Sequence, residues 1–165
     1  MRSARKRRSR VLFVCQAGVT AALYTVLTCL VGAFDLAGGV IQLRVSEALC
    51  VLPTFLPAAI PGLTVGCAVA NLLTGGLWQD VVFGTAATLL GALGAYLLRR
   101  APAWLTTVPT VLANALIVPP VLVYAYRFET ALPIVTLTVT LGEVLSAGVL
   151  GTLLCLMLRK RRIVF

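Results

Sequence analysis

The chain has 165 residues, of which 60% are hydrophobic and only 12% charged, and its mean hydropathy is +1.02. Soluble domains are about half apolar and a quarter charged, so this composition excludes a water-soluble fold and indicates an all-α integral membrane protein. The net charge of +9 does not indicate nucleic-acid binding, because the basic residues flank apolar segments and do not alternate with aromatic residues on a polar domain.

Six membrane-spanning helices in a compact bundle are predicted at residues 11–158, between basic tails at 1–10 and 159–165, because a span needs roughly 20 mostly apolar residues. The predicted spans are residues 11–33, 45–60, 63–78, 81–98, 103–126 and 132–158. Pro61-Gly62 is predicted to form the turn between the second and third spans, and Pro119-Pro120 to kink the fifth.

The basic residues predict the orientation of this bundle. Twelve of the 14 Lys and Arg residues lie in the two tails or at Arg99-Arg100, and six spans place all twelve on one side of the membrane. Since Lys and Arg concentrate in cytoplasmic loops, both termini are expected in the cytoplasm. A five-span chain would leave one basic tail outside, against this rule.

Missing residue types exclude several kinds of chemistry. The chain has no histidine, which removes histidine acid–base catalysis, Ser-His triads and most zinc and haem sites. Its five cysteines lie singly in apolar segments and are interpreted as packing residues, so no metal site or resident cofactor is predicted. Neither lysine, Lys6 or Lys160, follows a glycine-rich loop that would bind ATP. We therefore predict a transport protein and no enzyme, and any ATP that drives it must be hydrolysed by a partner.

Small residues recur at four-residue spacing on several predicted helices, which lets helix backbones approach closely. These pairs include Ala17/Ala21, Gly18/Ala22, Gly62/Gly66 and Ala147/Gly151. Most are expected to pack within the bundle, and one of them is alternatively a docking surface for another membrane subunit.

The five acidic residues avoid the basic side of the predicted bundle. Four fall at or near the outer face, namely Asp35, Glu47, Asp80 and Glu129. Glu143 lies about 11 residues into the last span, where a carboxylate is costly unless it is paired or faces a polar cavity. This pattern predicts a ligand cavity that opens to the outside.

Residues 41–47, Ile-Gln-Leu-Arg-Val-Ser-Glu, are the densest polar group. Arg44 and Glu47 are three residues apart and can pair on one face of a helix. They form either a structural ion pair that closes the top of the second span or, with Gln42, part of a ligand site or its lid. The two roles are compatible.

Further polar and aromatic residues also have a structural and a functional interpretation. Asn71 and Asn114 lie in mid-span, where an amide needs a partner, and either bond between helices or contact a ligand. Asp80 is a candidate N-cap of the fourth span or a ligand contact. Trp78 is an interfacial anchor or, like Phe83, a surface on which a flat heterocycle stacks.

Several of these segments resemble the QueT family, over roughly residues 17–150. The most specific part is the Gln42-x-Arg44-x-Ser46-Glu47 segment. The matching segments are residues 21–28, 41–49, 62–71, 80–90 and 114–118. The long basic N-terminal tail and Pro119-Pro120 depart from the family pattern.

QueT proteins are regarded as S components, the substrate-binding subunits of energy-coupling factor (ECF) transporters, which are ABC-type uptake systems of prokaryotic cell membranes. The resemblance implies a multi-pass protein of the plasma membrane, with a transmembrane T component and two cytoplasmic ATPases as partners. It also implies that Ala17 and Ala21 dock the T component. The implied ligand is a queuosine precursor, a 7-deazaguanine base with a cyano or aminomethyl group, or queuine. We expect capture from outside, with residues 35–42 as a lid, and reorientation of the loaded S component by the partner ATPases.

The candidate site residues can be matched to this ligand. A deazaguanine presents a ring N–H and an exocyclic amine side by side, and one carboxylate can accept both. The candidate acceptors are Glu47, Asp80 and Glu143; the candidate donors to the ring carbonyl are Gln42, Arg44, Asn71 and Asn114; the stacking candidates are Trp78 and Phe83. An aminomethyl group is a cation and would benefit from a second carboxylate.

Two other functions stay open at this point. The same scaffold would serve as the S component for another vitamin or nucleobase. Alternatively, the chain is a stand-alone ion-coupled transporter with Glu143 as its proton carrier. A membrane-embedded enzyme is disfavoured, because the chain lacks histidine, a cysteine pair and clustered acids.

Overall fold

The computed structural model describes residues 2–33, 44–125 and 131–161, with side chains from Ser9 onward. Its elements are α1 (Arg2–Ala33), a 3₁₀ helix (Val45–Thr54), α2 (Ala59–Leu73), α3 (Trp78–Leu97), α4 (Ala103–Tyr124), α5 (Leu132–Glu143), a π-helical segment (Val144–Leu150) and α6 (Gly151–Lys160). No strand occurs in these ranges, which confirms the all-α prediction.

A helical segment corresponds to each of the six predicted spans. Four are long and apolar enough to cross a membrane, namely Ser9–Ala33, Trp78–Leu97, Ala103–Tyr124 and Leu132–Lys160. The other two are shorter apolar helices, Val45–Thr54 and Ala59–Leu73. A 3₁₀ helix rises about 2 Å per residue and an α-helix about 1.5 Å, so these two segments have similar lengths of about 20 Å. The fifth span is not interrupted at Pro119-Pro120, because α4 continues through both prolines.

The predicted turn at Pro61-Gly62 is wrong, because both residues lie inside α2. Pro61 is the third residue of that helix, where the backbone N–H has no partner within the helix and a proline is tolerated. A Cβ atom at Gly62 would lie 2.6 Å from the carbonyl oxygen of Ala17. The Pro-Gly pair therefore marks the start of a helix and a close helix contact, and the reversal of the chain comes earlier, at residues 55–58.

The third predicted span extends past the end of α2 at Leu73. Gly75 adopts a φ of 76°, and the amide of Gly76 donates to the carbonyl oxygen of Asn71 at 2.8 Å. This geometry is the Schellman ending of a helix, which needs a residue that tolerates positive φ. Trp78 therefore begins α3 and does not end the preceding span.

Contacts between glycines and neighbouring helices give the direction of each segment. Gly62 faces Ala17 and Gly66 faces Ala21, so α1 and α2 run parallel and the 3₁₀ helix between them runs back. Gly91 of α3 packs against Thr110 of α4, three residues before Gly94 meets Pro109, so these two helices are antiparallel. The six segments thus alternate in direction, as six spans require.

The basic residues at the ends of α3 and α6 lie at one end of the bundle. Arg159 donates to the carbonyl oxygens of Arg99 and Ala101, at 3.4 and 2.8 Å. Asp80 lies at the opposite end of α3. Arg99 and Arg159 therefore lie at the end of the bundle opposite to Asp80.

The 3₁₀ helix occupies the centre of the bundle. It contacts α1, α3, α4, α6 and the π-helical segment. Its buried residues are Ser46, Glu47, Ala48, Cys50, Val51 and Pro53. In contrast, α1 exposes many large apolar side chains, as expected of a helix that faces lipid. This position places the polar residues of the 3₁₀ helix among most of the other segments.

Candidate binding site

Eight polar side chains meet inside the bundle and are here called the buried polar cluster. Its members are Tyr24, Arg44, Glu47, Asn71, Asp80, Thr88, Asn114 and Glu143. Seven of them are at most 8% exposed, and the side chain of Arg44 is 17% exposed. Six of these eight residues were predicted site residues. The fold brings these six together, although Arg44 and Glu143 are 99 positions apart in the chain.

Glu47 is fully engaged with donors from three helical segments. The hydroxyl groups of Tyr24 and Thr88 donate to its Oε1 atom, the latter at 3.3 Å. The Cys50 thiol donates to Oε2 at 3.1 Å. Hydrogen bonds to an ionised carboxylate are among the stronger ones in proteins. These contacts tie α1, the 3₁₀ helix and α3 together, so Glu47 has a structural role.

Arg44 pairs with Asp80, at 3.7 Å between Nη2 and Oδ1, and the predicted pair with Glu47 is wrong. The helix that follows Arg44 is a 3₁₀ helix, and the two oxygens of Glu47 accept from other groups. Asp80 is also not the predicted N-cap, because α3 begins at Trp78 and its N-cap position is Leu77. Its carboxylate lies in the first turn of α3, where the helix dipole favours a negative charge.

Asn71 supports this ion pair through the α3 backbone. Its Nδ2 atom donates to the carbonyl oxygen of Asp80 at 3.2 Å, which confirms the interhelical interpretation of this amide. A Cβ atom at Gly84 would lie 3.0 Å from that nitrogen and 3.9 Å from Nη1 of Arg44. Gly84 thus leaves room for both side chains against the surface of α3.

Asn114 and Glu143 have a different environment, although both are buried in the centre. Asn114 is 0% and Glu143 2% exposed. The Asn114 amide lies beside the Glu143 carboxyl group in a position to donate to it, and Arg44 and Glu47 lie within electrostatic reach. Neither polar atom of the Asn114 amide has a hydrogen bond of normal geometry in the described part of the chain, and the same holds for Oε2 of Glu143. These atoms therefore offer unused donors and acceptors.

The predicted aromatic residues and Gln42 do not join the cluster. Trp78 is 69% and Phe83 46% exposed. Phe83 lines an apolar groove of about 500 Å³ between α3 and the end of α4, together with Gln79 and Tyr124. Gln42 and the predicted lid at 35–42 lie outside the described residues. The aromatic ring that reaches the cluster is that of Tyr24.

Tyr24, Thr88 and Cys50 are cluster contacts that the sequence reasoning missed. Tyrosine, threonine and cysteine are common in helical spans, so none of them stands out as a buried charge does. One signal was present, since Cys50 is three residues after Glu47 and can share its helix face.

The family of the chain follows from a comparison with known sequence families. The family described as QueT transporter matches residues 14–160, which is most of the chain. This chain belongs to the QueT transporter family. Membership makes it a transport protein, and the buried polar cluster is its candidate binding site.

A curated relative of this QueT-family chain gives further detail. It is named Queuosine precursor transporter QueT, from Lactococcus lactis subsp. cremoris (strain MG1363), and is 35% identical over 84 residues. The alignment covers 51% of this chain and 49% of the relative, so the chain matches about half the length of this relative. No solved structure matches the chain.

Proposed function

We propose that this QueT-family chain is the S component of an ECF transporter and that it captures a queuosine precursor from outside the cell. The family match over residues 14–160 carries this proposal, and the name of the Lactococcus lactis relative supports the ligand. The buried polar cluster supplies carboxylate, amide and hydroxyl groups, which are the groups that recognise the edge of a nucleobase.

The proposed orientation places both termini in the cytoplasm and the cluster toward the outside of the plasma membrane. Twelve of the 14 basic residues favour this orientation. The contact of Arg159 with the α3–α4 connection supports it, because it joins two basic segments at one end. The cluster members Asn71 and Asp80 lie toward the other end of α2 and α3.

The proposed partners are a transmembrane T component and two cytoplasmic ATPases, which supply the ATP hydrolysis. We place the docking surface for the T component on α1, at Ala17 and Ala21. Both residues are half-buried, because Gly62 and Gly66 pack against them. The neighbouring Gly18 is exposed, and a Cβ atom there would meet nothing within 4 Å. The accessible part of the docking surface is therefore the side of α1 on which Gly18 lies.

Binding of radiolabelled 7-deazaguanine bases to the purified protein tests the ligand. We expect saturable binding that a triple variant, Glu47→Gln with Asp80→Asn and Glu143→Gln, weakens strongly. A panel of vitamins and ordinary nucleobases serves as competitors, and the melting temperature shows whether the variant is folded. Undiminished affinity in the triple variant, or preferential binding of an unrelated vitamin, would contradict the proposal.

Uptake into vesicles tests the partners. Vesicles that contain the chain together with its T component and ATPases should accumulate labelled base when ATP is enclosed in the vesicle, on the side of the ATPases. Vesicles that contain the chain alone should not.

A second candidate function is ion-coupled transport by this chain alone, and the buried position of Glu143 favours it. A buried carboxylate inside a membrane is a common proton carrier. Uptake that follows an imposed proton gradient in vesicles without ATPases would establish this function and contradict the S-component proposal.

A further inference from the structure

The charges in the buried polar cluster do not balance. Among the described residues, the cluster holds three carboxylates and one guanidinium group. The guanidinium of Arg44 pairs with Asp80. Glu47 accepts hydrogen bonds from neutral groups on both oxygens. Neither glutamate has a cationic partner of its own among the described residues, and of the two it is Glu143 that keeps an oxygen without a donor.

The unmade hydrogen bonds lie at the same place as the unbalanced charge. Oε2 of Glu143 has no hydrogen bond among the described residues, and the Asn114 amide, which lies against Glu143, makes none of normal geometry there. Buried polar groups in folded proteins are nearly always paired, and each exception needs an explanation. A ligand that reaches Glu143 and Asn114 would supply the missing partners.

The backbone beside Glu143 is also unusual. The π-helical segment Val144–Leu150 begins directly after this residue and interrupts an otherwise continuous helix from Leu132 to Lys160. π-Helical turns are rare and occur frequently at functional sites. This feature is independent of the hydrogen-bond pattern, and it points to the same position.

We infer that Glu143 and Asn114 are the ligand contacts of the cluster, and that Glu143 pairs with a positively charged amine on the ligand. This inference rests on the proposed function, which limits the ligand to queuosine precursors. Among these, the aminomethyl base carries an ammonium group, whereas the cyano base has the same ring system and no charge. The Asn114 amide, which can both donate and accept, then contacts the polar edge of the ring.

The selectivity follows from the low dielectric of the site. An ionised Glu143 that stays unpaired inside the membrane is unfavourable. The neutral cyano base provides no cation, so the charge would stay unpaired. The aminomethyl base neutralises it and forms a charge-assisted hydrogen bond. Loss of one partner from a buried charge pair commonly weakens binding on the order of 30-fold or more. We therefore expect the protein to bind the aminomethyl base at least about 30-fold more tightly than the cyano base.

Isothermal titration of both bases into the purified full chain tests this inference. The wild-type protein should show the preference for the aminomethyl base, and Glu143→Gln should reduce the ratio of the two affinities to near one. Trp104→Phe is the control, because Trp104 is 61% exposed in the first turn of α4, outside the cluster, and its replacement should keep the ratio. Melting temperatures of each variant in the same detergent show that the compared proteins are folded.

The possible failures are distinguishable. Equal affinity of the wild-type protein for the two bases would overturn the charge inference and leave the proposed function intact. So would a preference that Glu143→Gln retains or that Trp104→Phe abolishes. No binding of either base would contradict the proposed function itself. Should Glu143→Gln not fold, the comparison of the two bases on the wild-type protein still decides between these outcomes.

Discussion

Glu47 and Glu143 are both nearly inaccessible to solvent, at 1% and 2% exposure, but their surroundings differ. Glu47 accepts hydrogen bonds from Tyr24, Thr88 and Cys50. Glu143 keeps an oxygen without a hydrogen bond in the described residues and has the Asn114 amide beside it. Burial alone therefore does not distinguish a structural carboxylate from a binding carboxylate. The separation comes from asking which hydrogen-bond groups the fold has already used.

The largest expected effect is on stability when Glu47 is neutralised. Glu47→Gln places an amide among groups that donate hydrogen bonds, and it removes the charge that they stabilise. We expect a loss of about 3 kcal/mol in the free energy of unfolding. The matched Glu143→Gln should change it by less than about 1 kcal/mol, because a neutral amide is cheaper to bury than an unpaired charge. Unfolding in detergent measures both, and equal losses would remove the distinction between the two residues.

A smaller effect is expected when a single donor to Glu47 is deleted. Tyr24→Phe keeps the ring and leaves one carboxylate oxygen with a lost partner, which should cost about 1–3 kcal/mol. Tyr124→Phe is the control, since Tyr124 is 74% exposed and its change should stay within about 0.5 kcal/mol. If the two variants melt at the same temperature, the Tyr24–Glu47 contact does not stabilise the fold.

The smallest difference in stability is expected between the two buried amides. Asn71→Leu removes the hydrogen bond to the backbone of Asp80 and should cost about 1 kcal/mol. Asn114→Leu should change stability by less than Asn71→Leu, because its amide forms no hydrogen bond of normal geometry in the described residues. It should nevertheless weaken the binding of deazaguanine bases. A large loss of stability in Asn114→Leu, with unchanged binding, would assign Asn114 to the fold.

Hydropathy and charge were sufficient to predict the number of helical segments, because apolar length and the positions of Arg and Lys report directly on membrane crossing. They did not locate the ends of the short segments. Pro61-Gly62 has the composition of a turn, but its role depends on the close approach of Ala17. That approach is a tertiary contact with a residue 45 positions away, which local sequence patterns do not contain.

The candidate site could be predicted in part. The scarcity of acidic residues drew attention to Glu47, Asp80 and Glu143, and all three lie in the cluster. Their partners could not be assigned, since spacing favoured Arg44 with Glu47, whereas the fold pairs Arg44 with Asp80. Hydroxyl and thiol donors are not conspicuous in an apolar sequence, so the division between a satisfied and an unsatisfied carboxylate required the structure.

We propose that Glu143 binds the ligand and that Glu47 stabilises the fold. A structure of the protein with the aminomethyl base bound is the most direct test of these two roles. We expect the ammonium nitrogen at about 2.7–2.9 Å from a carboxylate oxygen of Glu143. The Asn114 amide should contact the polar edge of the ring, and the Tyr24–Glu47 hydrogen bond should be intact. A base bound to Glu47, or seated in the apolar groove beside Phe83 and away from Glu143, would contradict it.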